Sequence, residues 1–366
     1  MYALRILTRQ PVRFALTVAG IALCVILMLF LVSVYRAVAT GSVEYIRSNP
    51  ADFWVLQRHA TNILRGSSIL TTPHGIVLRQ VAGVERVSPV LLFLTTVRRP
   101  EGNATIFLAG YDPASGMGGP PAIVAGRSVQ NDDEIVLDRS FAAKYSIAVG
   151  DLIVMQDDSL RVTGISSGTN AFVVQYGFTT LRRAQSLLGF PNLVTGYLLT
   201  LRAGTSPAAV RDAIRDDLPG VAVFDGQTFL ANNIREMESG FLPILYAIAA
   251  IGAVVLTSIL TLLLTVIILE SRRDFAIMRA LGSPDAFLRG VIFAQALMLS
   301  VAGTTIASIL FPPFASAIEW LTPEVSTQAS WPQVAAVACV VLAITSVSAW
   351  IAIRRLRGIY PLEAFS

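Results

Sequence analysis

The chain has 366 residues, of which 54% are hydrophobic and 14% charged, and its mean hydropathy is +0.64. Soluble proteins carry roughly 25% charged residues, so this composition excludes an ordinary soluble protein and indicates a membrane protein. The net charge of +4 does not indicate a nucleic-acid binder, because the basic residues follow the pattern of a membrane topology. Cys24 and Cys339 both lie in apolar runs and therefore predict no disulfide framework.

Four apolar runs are long enough to cross the hydrocarbon core of a bilayer, which takes about 20 residues. They lack Asp, Glu, Lys, Arg and His, and they cover Phe14–Val34, Phe241–Leu269, Val291–Phe311 and Val334–Ile353. The first run could also be a signal peptide, because Ala37-Val38-Ala39 resembles a cleavage site. Its apolar stretch is longer than the roughly 7–15 residues of a signal-peptide core, so we interpret it as an uncleaved membrane anchor.

Arginine residues predict the orientation, because short cytoplasmic segments of membrane proteins are enriched in Lys and Arg. The arginines cluster before the first run, between residues 270 and 290, and after the fourth run, whereas the loop 315–333 has no basic residue. If the chain crosses the membrane four times, the three basic segments lie on the same side. Together they carry ten arginines and four acidic residues, a net charge of +6, and the rest of the chain carries a net charge of −2. We therefore expect both termini in the cytoplasm.

The region 36–238, between the first two runs, is then extracytoplasmic and long enough for one or two domains of mixed α and β structure. Near its end, the pattern predicts a strand at Tyr197–Arg202 and a second strand at Val221–Phe224. Between them it predicts a helix that Ser206 caps and that has Pro207 at its first position.

An earlier segment, TTPHGIVLRQVAGVERVSPV, has a similar order and would fit an internal duplication. There we expect a helix that begins at Thr72-Pro73 and closes at Gly83-Val84. Short apolar runs between the two segments predict strands, with a hairpin turn at Asp157-Asp158.

The sequence offers few residues that could carry chemistry. The stretch Gly164-Ile165-Ser166-Ser167-Gly168 matches the G-x-S-x-G nucleophile elbow, but a β-prone run follows where that motif needs a helix. We interpret it as a strand end. His59, His74 and two distant cysteines do not have the spacing of a zinc site. The only lysine, Lys144, lies outside any phosphate-binding loop motif, and the Gly/Pro-rich stretch 110–127 lacks the G-x-G-x-x-G order. We therefore expect no metal, nucleotide or other cofactor on this chain.

Small and hydroxyl residues recur every four positions in two of the apolar runs. They are Ala249, Ala253, Thr257, Thr261 and Thr265 in the second run, and Ala296, Ser300, Thr304 and Ser308 in the third. Such stripes let membrane helices approach closely. They fit packing within one chain or a dimer contact, and the sequence leaves both open.

The segment after the second run predicts a short cytoplasmic helix. Residues 270–281 contain no Gly or Pro, Gly282 suits the position past a helix end, and Ser283-Pro284 suits the start of the next helix. Arg272, Ala276 and Arg279 share one face of this helix, with Phe275 beside them. An interfacial helix whose arginines touch lipid phosphates is one interpretation. A docking surface for a cytoplasmic partner accounts better for the defined break and for the aromatic residue beside the charges.

The sequence LESRRDFAIMRALGSPDAFLRGVIFAQALMLSVAG, residues 269–303, resembles the signature of FtsX-like permeases, the MacB, LolC and LolE class of ABC transporter subunits. LAGYDPASG, GRSVQNDDEIVLD and VGDLIVM resemble the MacB-like periplasmic core, and Pro361-Leu362-Glu363-Ala364 resembles the cytoplasmic tail of the family. The first run and the modest outer domain are similar to the DevC branch. The likeness covers nearly the whole chain, and because the sequence has no phosphate-binding loop we expect the ATPase to be a separate subunit.

The resemblance implies a permease subunit of an ABC exporter in the bacterial inner (plasma) membrane. It implies a dimer that binds two copies of a separate cytoplasmic ATPase, which holds the ATP and Mg, and a periplasmic adaptor. The cargo would be amphipathic or lipid-linked, and no nucleic acid takes part. The residues expected to contact the ATPase are Glu270, Arg272, Arg273, Phe275, Ala276, Arg279, Leu281 and Gly282. A second hypothesis is a transmembrane regulator that transmits ATPase motion to an extracytoplasmic enzyme such as a cell-wall hydrolase.

The expected fold class is a membrane protein with four transmembrane helices and a large extracytoplasmic α+β domain inserted between helices 1 and 2. The expected segments are a cytoplasmic tail (1–13), helix 1 (14–35), the MacB-like core domain (36–238), a stalk with helix 2 (239–269), the coupling helix and turn (270–286), helix 3 (287–311), a short periplasmic loop (312–333), helix 4 (334–353) and a cytoplasmic tail (354–366). The 29-residue second run would be about 44 Å long as a helix, which exceeds the thickness of the hydrocarbon core. We therefore expect its start to form a stalk outside the bilayer and the rest to contact membrane lipid.

Overall fold

A computed structural model describes residues 11–63, 68–99, 102–169, 175–270, 277, 283–322 and 330–356. The chain divides into two units. The membrane unit comprises Met1–Tyr35, Leu242–Ile318 and Thr327–Ser366, and the α/β domain comprises Arg36–Phe241 with Glu319–Ser326. This is the expected fold class, with an α+β domain inserted after the first membrane helix.

The helices are α1 Pro11–Ser48, α2 Thr72–Gln80, α3 Arg139–Lys144, α4 Leu181–Leu188, α5 Pro207–Asp217, α6 Gly226–Glu270, α7 Asp285–Leu321 and α8 Trp331–Leu356. The strands are β1 Phe53–Gln57, β2 Leu70–Thr71, β3 Val84–Arg99, β4 Gly102–Tyr111, β5 Ala122–Gly126, β6 Glu134–Asp138, β7 Leu152–Met155, β8 Asp158–Ser167, β9 Tyr176–Thr180, β10 Leu193–Val194, β11 Gly196–Leu201 and β12 Val221–Asp225.

Within the described ranges, four helices are long and apolar enough to cross a membrane. The candidate spans are Phe14–Ala37, Leu242–Val266, Arg289–Leu321 and Trp331–Arg354. The helices themselves exceed the predicted spans: α1 continues to Ser48, and α6 begins at Gly226.

The segment 312–321 is helical, although the sequence pattern predicts a loop from residue 312 onward. Pro312 and Pro313 lie inside α7, which continues to Leu321. Proline removes one backbone hydrogen bond, but membrane helices tolerate it where local adjustments satisfy the freed carbonyl groups. The loop prediction was therefore wrong for these ten residues.

The membrane unit has its own apolar core. Val18 and Ile21 of α1 cluster with Leu260 of α6, Leu299 of α7 and Val341 of α8, all of them buried. A Cβ atom on Gly303 would lie 2.5 Å from Cγ2 of Ile21, so α1 and α7 approach closely only because residue 303 has no side chain.

The third-run stripe packs within the chain. Ala296 and Ser300 are fully buried, and Thr304 and Ser308 are half-buried. On α6 the stripe is less covered: Ala249 is exposed, and the other stripe residues are half-buried. The α6 stripe is therefore only partly covered within one chain.

The α/β domain is built on one large sheet in the order β12-β1-β11-β3-β4-β9-β6-β8-β5, and β2 and β10 form a separate pair. Strand β7 pairs with both β3 and β8. The pairings therefore close a ring through β3, β4, β9, β6, β8 and β7. Closing a sheet in this way leaves fewer unpaired strand edges.

Alternate residues of the strands point to different apolar cores, as the period of two in a strand requires. In β4, Ile106 and Leu108 pack with the interior of the ring, and Phe107 and Ala109 pack on the opposite side. Trp54 of β1 belongs to the second of these cores. The ends of α1 and α6 cover that face, whereas α2 and α5 cover a separate core on the other face of β1 and β11.

Several local predictions are confirmed. Ser206 stands at the N-cap position of α5, although its side chain makes no capping hydrogen bond, and β11 and β12 flank that helix within one residue of the predicted bounds. The predicted hairpin turn lies one residue earlier, at Gln156-Asp157, because Met155 pairs directly with Asp158.

Two expectations for the earlier segment were less accurate. Helix α2 ends at Gln80, before the predicted closure. The duplication does not extend to the sheet: among the described residues β2 pairs only with β10, whereas both β11 and β12 pair with β1.

Candidate functional site

Two helices of the membrane unit continue into the α/β domain and end on the same face of its sheet. Tyr45, near the end of α1, and Phe229, near the start of α6, both pack on the indole of Trp54 in β1. All three side chains are fully buried. Trp54 is therefore a residue of the sheet that both helices contact.

The ring geometry shows how tight this contact is. Phe229 stacks on Trp54 with centroids 4.7 Å apart, and Tyr45 meets Trp54 edge-on at 6.3 Å. On its other side Tyr45 stacks on Tyr176 of β9 at 5.4 Å. Each such aromatic pair contributes about 0.5–1.5 kcal/mol beyond its burial. We call the contacts of α1 the first anchor and those of α6 the second anchor.

The first anchor is completed by hydrogen bonds to a glycine-rich loop. The Tyr45 hydroxyl donates to the carbonyl oxygen of Gly118 at 2.9 Å. The Asn49 amide donates to the carbonyl oxygens of Tyr45 and Gly119, and its oxygen accepts from the backbone N–H of Gly118. Asn49 thus satisfies a carbonyl of the last helical turn and fixes the loop at the same time.

The loop needs glycine at both positions. Gly118 has φ +86°, and a Cβ atom there would lie 2.6 Å from Cγ1 of Val90. A Cβ atom on Gly119 would lie 2.9 Å from Cε2 of Tyr111. The Gly/Pro-rich stretch, which lacks a dinucleotide motif, is therefore a close-packed support for α1.

The second anchor has a capped helix start and a buried amide. The Asp225 carboxylate accepts from the backbone N–H and the hydroxyl of Thr228, both at 2.8 Å, as an N-cap does. Asn233 is fully buried; its amide donates to the carbonyl oxygen of Phe229 and its oxygen accepts from the backbone N–H of Ile63 at 3.1 Å.

A groove of about 460 Å³ lies beside Trp54, between the end of α1 and the start of α6. Its lining includes Ile46 and Arg47 of α1, Asp225 and Leu230 on the side of α6, and Trp54. Trp54, which both anchors contact, therefore also forms part of the wall of this groove.

The two anchors differ in the ionisation of their polar side chains. Burial, with smaller contributions from the nearby Tyr176 and Tyr111, raises the pKa of the Tyr45 hydroxyl well above its usual value. The hydrogen bond from the Thr228 N–H lowers the pKa of the Asp225 carboxyl below its usual value. The first anchor thus favours a neutral group and the second an ionised one.

Stretches of the domain that resemble the MacB-like core have structural roles. In GRSVQNDDEIVLD, the buried Glu134 accepts from Arg127 at 2.8 Å and from the N–H of Gln130 at 2.8 Å. The Arg127 hydrogen bond is the main reason that the pKa of Glu134 falls to about 2. In GYDPASG, Asp112 caps a short 3₁₀ turn at Pro113–Ser115.

The expected ATPase-contact residues lie almost wholly outside the described residues. These are Arg272, Arg273, Phe275, Ala276, Arg279, Leu281 and Gly282. Glu270 is described; it is the exposed last residue of α6.

The G-x-S-x-G stretch is confirmed as a strand end. Ser166 lies inside β8, is fully buried, and its hydroxyl donates to the carbonyl oxygen of Leu137 at 3.4 Å. Within the described part of the chain, no three His, Cys, Asp or Glu side chains are grouped as metal ligands.

Two family models match the chain and together span nearly all of it. The MacB-like periplasmic core domain matches residues 14–217, more than half of the chain, and the FtsX-like permease C-terminal region matches residues 246–361. The chain belongs to the FtsX- and MacB-like ABC transporter permeases. Subunits of this family are transport components of multi-pass membrane systems, not enzymes, and as ABC permeases they work with an ATPase.

Solved structures related to this permease cover about half of it. The periplasmic region of MacB from Actinobacillus actinomycetemcomitans is 12% identical, with a TM-score of 0.39, and covers 51% of this chain and 94% of its own. The extracellular domain of the noncanonic ABC-type transporter YknZ from Gram-positive bacteria is 14% identical, with a TM-score of 0.38, and covers 48% and 100%. A domain of a putative permease protein from Porphyromonas gingivalis is 15% identical, with a TM-score of 0.32, and covers 47% and 84%. The comparison with curated proteins found no match for this chain.

Sequence reasoning missed both anchors of this permease. Each anchor has an aromatic residue followed four positions later by a buried asparagine, Tyr45 with Asn49 and Phe229 with Asn233. This spacing places both side chains on one helix face. The signal that could have indicated the anchors is an aromatic residue with an asparagine four positions later, outside the end of an apolar run. It follows the first run and precedes the second.

Proposed function

We propose that this chain is the permease subunit of an ABC exporter that transmits the motion of a separate ATPase to its extracytoplasmic domain. The cargo would be amphipathic or lipid-linked and would move at the outer face of the bacterial inner membrane. The observation that carries the proposal is that α6 is one continuous helix from Gly226 to Glu270, with its first turns fixed to the sheet.

The order of segments along α6 fits this role. Its last residue, Glu270, begins the segment expected to dock on the ATPase, and Phe229 near its start stacks on Trp54. A helix of 45 residues has no flexible loop between these points. Pro243 lies inside α6 and removes one of its backbone hydrogen bonds, but the helix continues on both sides of it. We propose that a push at the carboxyl end is transmitted along this helix to the sheet.

The orientation proposed from the arginine residues places both termini and the segment 270–286 in the cytoplasm. In this arrangement Arg272, Phe275 and Arg279 would contact the ATPase. The extracytoplasmic domain would then lie on the side where a periplasmic adaptor can reach it.

We also propose that the permease works as a dimer through α6. Within this chain, only 18% of the second span is buried, against 39% of the first and 44% of the third. Val254 and Leu262 are 65% and 69% exposed. We propose that this exposed apolar face packs against a second copy of the permease.

Affinity purification of the tagged chain from native membranes, followed by native mass spectrometry, tests the proposal. We expect two permease chains, two ATPase chains and an adaptor. Phe275→Ala and Arg279→Glu should each abolish ATPase stimulation and leave the permease inserted, whereas Ile277→Ala, on the other side of the predicted helix, should preserve it. Unchanged stimulation in both contact variants would refute the docking role. Recovery of a cell-wall hydrolase in place of an adaptor would support the regulator hypothesis instead.

A further inference from the structure

The last membrane helix, α8, packs one side against the rest of the membrane unit and leaves the other side exposed. Val337, Val341 and Ala352 are buried among residues of the other membrane helices. The exposed positions recur every three or four residues along the opposite side of the helix, and we call them the exposed face of α8: Ala336, Val340, Ala343, Val347, Trp350 and Arg354. Apart from the arginine, these side chains are apolar or aromatic, as contact with lipid tails requires.

The exposed face of α8 ends in a stacked pair of side chains. The guanidinium carbon Cζ of Arg354 lies 3.6 Å from the centroid of the Trp350 ring. At this distance the planar guanidinium lies over the face of the indole in a cation–π contact. Arg354 is the only charged residue in the candidate span Trp331–Arg354, so the pair marks the polar end of this span.

The spacing of the tryptophans in α8 fits the thickness of a bilayer. Trp331, at the start of the helix, is 86% exposed, and Trp350 is 53% exposed. Trp350 follows Trp331 at a distance of about 28 Å along the helix axis, and the hydrocarbon core is about 30 Å thick. Tryptophan is enriched at both membrane interfaces. Trp331 therefore fits one interface, and Trp350 with Arg354 fits the other, at the depth of the lipid phosphates.

The stacked guanidinium keeps its hydrogen-bond donors available. Stacking uses the face of the group, whereas its five N–H bonds lie in its plane and point away from the ring. Among the described residues, no carboxylate forms an ion pair with Arg354. A phosphate group matches this planar fork, because two of its oxygens can accept parallel hydrogen bonds.

We propose that Trp350 and Arg354 form a binding site for an anionic phospholipid. The guanidinium of Arg354 binds the lipid phosphate, the ring of Trp350 positions the guanidinium, and an acyl chain lies along Val347, Ala343 and Val340. In the orientation proposed above, the site faces the cytoplasmic leaflet, where basic residues near the surface are attracted to anionic lipids.

A lipid fits this site better than a free phosphate, because the apolar part of the exposed face continues from the pair for about 20 Å along the helix. An anionic headgroup fits better than a zwitterionic one, because the cationic group of a zwitterionic lipid would repel the guanidinium. The site goes beyond the proposed transport function, since it requires only that α8 lies in a membrane.

Native mass spectrometry of the purified full-length permease, titrated with phosphatidylglycerol and separately with phosphatidylcholine, tests the site. We expect the wild type to bind the first phosphatidylglycerol more tightly than phosphatidylcholine. Arg354→Gln should weaken this binding about fivefold, as loss of one arginine near the membrane surface predicts. Trp350→Leu should weaken it about threefold, as loss of an exposed cation–π contact predicts. The double variant should bind no more weakly than Arg354→Gln, because the ring acts through the guanidinium.

Two matched controls separate the site from general effects. Arg289→Gln removes another exposed arginine at the end of a candidate span, but among the described residues no aromatic ring lies beneath Arg289. Trp331→Leu removes an exposed tryptophan at the other end of α8, away from Arg354. Both controls should keep the wild-type affinity for the first phosphatidylglycerol.

Arg354→Lys guards against a loss of correct insertion, because it keeps the positive charge that orients the helix. It should still bind phosphatidylglycerol more weakly than the wild type, since an ammonium group lacks the planar fork. Equal wild-type affinity for the two lipids, wild-type affinity in both Arg354 variants, or an equal loss in Arg289→Gln would overturn the site. If Trp350→Leu converts a dimer to monomers, the exposed face of α8 contacts a second copy of the chain and not a lipid.

Discussion

The two anchors hold two helices to one tryptophan, but they do so with opposite chemistry. The first anchor receives the carboxyl end of α1, where helical carbonyl groups lack donors, and Asn49 supplies one to the carbonyl of Tyr45. The second receives the amino end of α6, where amide groups lack acceptors, and Asp225 supplies one to Thr228.

This difference shows that the direction of the chain determines the side chains of an anchor. A helix that ends in the domain needs donors and a neutral tyrosine, together with a glycine loop to accept that tyrosine's hydroxyl. A helix that begins there needs a carboxylate at its cap, and here it is held further by ring stacking and by the hydrogen bond between Asn233 and Ile63. The anchors should therefore fail under different substitutions and share only the failure of Trp54.

Replacing the shared residue should have the largest effect. Trp54→Ala removes the ring on which both Tyr45 and Phe229 pack, and we expect the free energy of unfolding of the α/β domain to fall by about 3–5 kcal/mol. Hydrogen–deuterium exchange of the full-length protein should rise at the end of α1 and the start of α6 together.

Phe190→Ala is the control for Trp54→Ala, because Phe190 is 60% exposed on the same domain. It should leave both helix ends protected. If exchange in Trp54→Ala rises at only one helix, the tryptophan does not join the two anchors.

A glycine substitution should break the first anchor selectively. Gly118→Ala places a Cβ atom 2.6 Å from Val90 in a left-handed conformation, and we expect a loss of about 1–3 kcal/mol with faster exchange at the end of α1 only. Thermal unfolding and hydrogen–deuterium exchange measure the two effects. Gly204→Ala is the matched control, because Gly204 has a similar φ of +83° and nothing within 4 Å of the added atom. Equal losses in the two variants would mean that backbone strain, and not the contact with Val90, accounts for the effect.

The sequence predicts the membrane helices and the strand–helix–strand segment well, because their signals are local. A membrane helix is recognised from its own apolar run and the arginines beside it. The start of α5 is recognised from Ser206 and the Pro207 that follows it. The helix ends were less predictable, since α1 and α6 continue as far as their buried aromatic residues reach the sheet.

The anchors could not be predicted, because their partners are far apart in the chain. Tyr45 and Gly118 are separated by 73 residues, and Asn233 and Ile63 by 170. No periodicity links such positions, and their pairing depends on strand order, including the closure of the ring through β7. The ATPase-contact residues, which carry the most specific resemblance, stay a prediction.

Removing one hydroxyl should have the smallest effect and distinguish a paired tyrosine from an unpaired one. Tyr45→Phe leaves the Gly118 carbonyl without its donor, and we expect about 1 kcal/mol lower unfolding free energy at neutral pH. Tyr176→Phe, in the ring stacked on Tyr45, removes a buried hydroxyl that has no partner among the described residues, and should cost nothing or stabilise the domain.

The contribution of the Tyr45 hydroxyl to the first anchor should depend on pH. The raised pKa of Tyr45 means that the folded state keeps its proton while the unfolded state loses it near pH 10. The stability from this group is fully present below about pH 10 and is lost as the pH rises further, so the gap between wild type and Tyr45→Phe should narrow there. Chemical unfolding at a series of pH values measures this gap. If the gap stays constant through that range, Tyr45 ionises equally in both states, and the neutral hydroxyl does not secure α1.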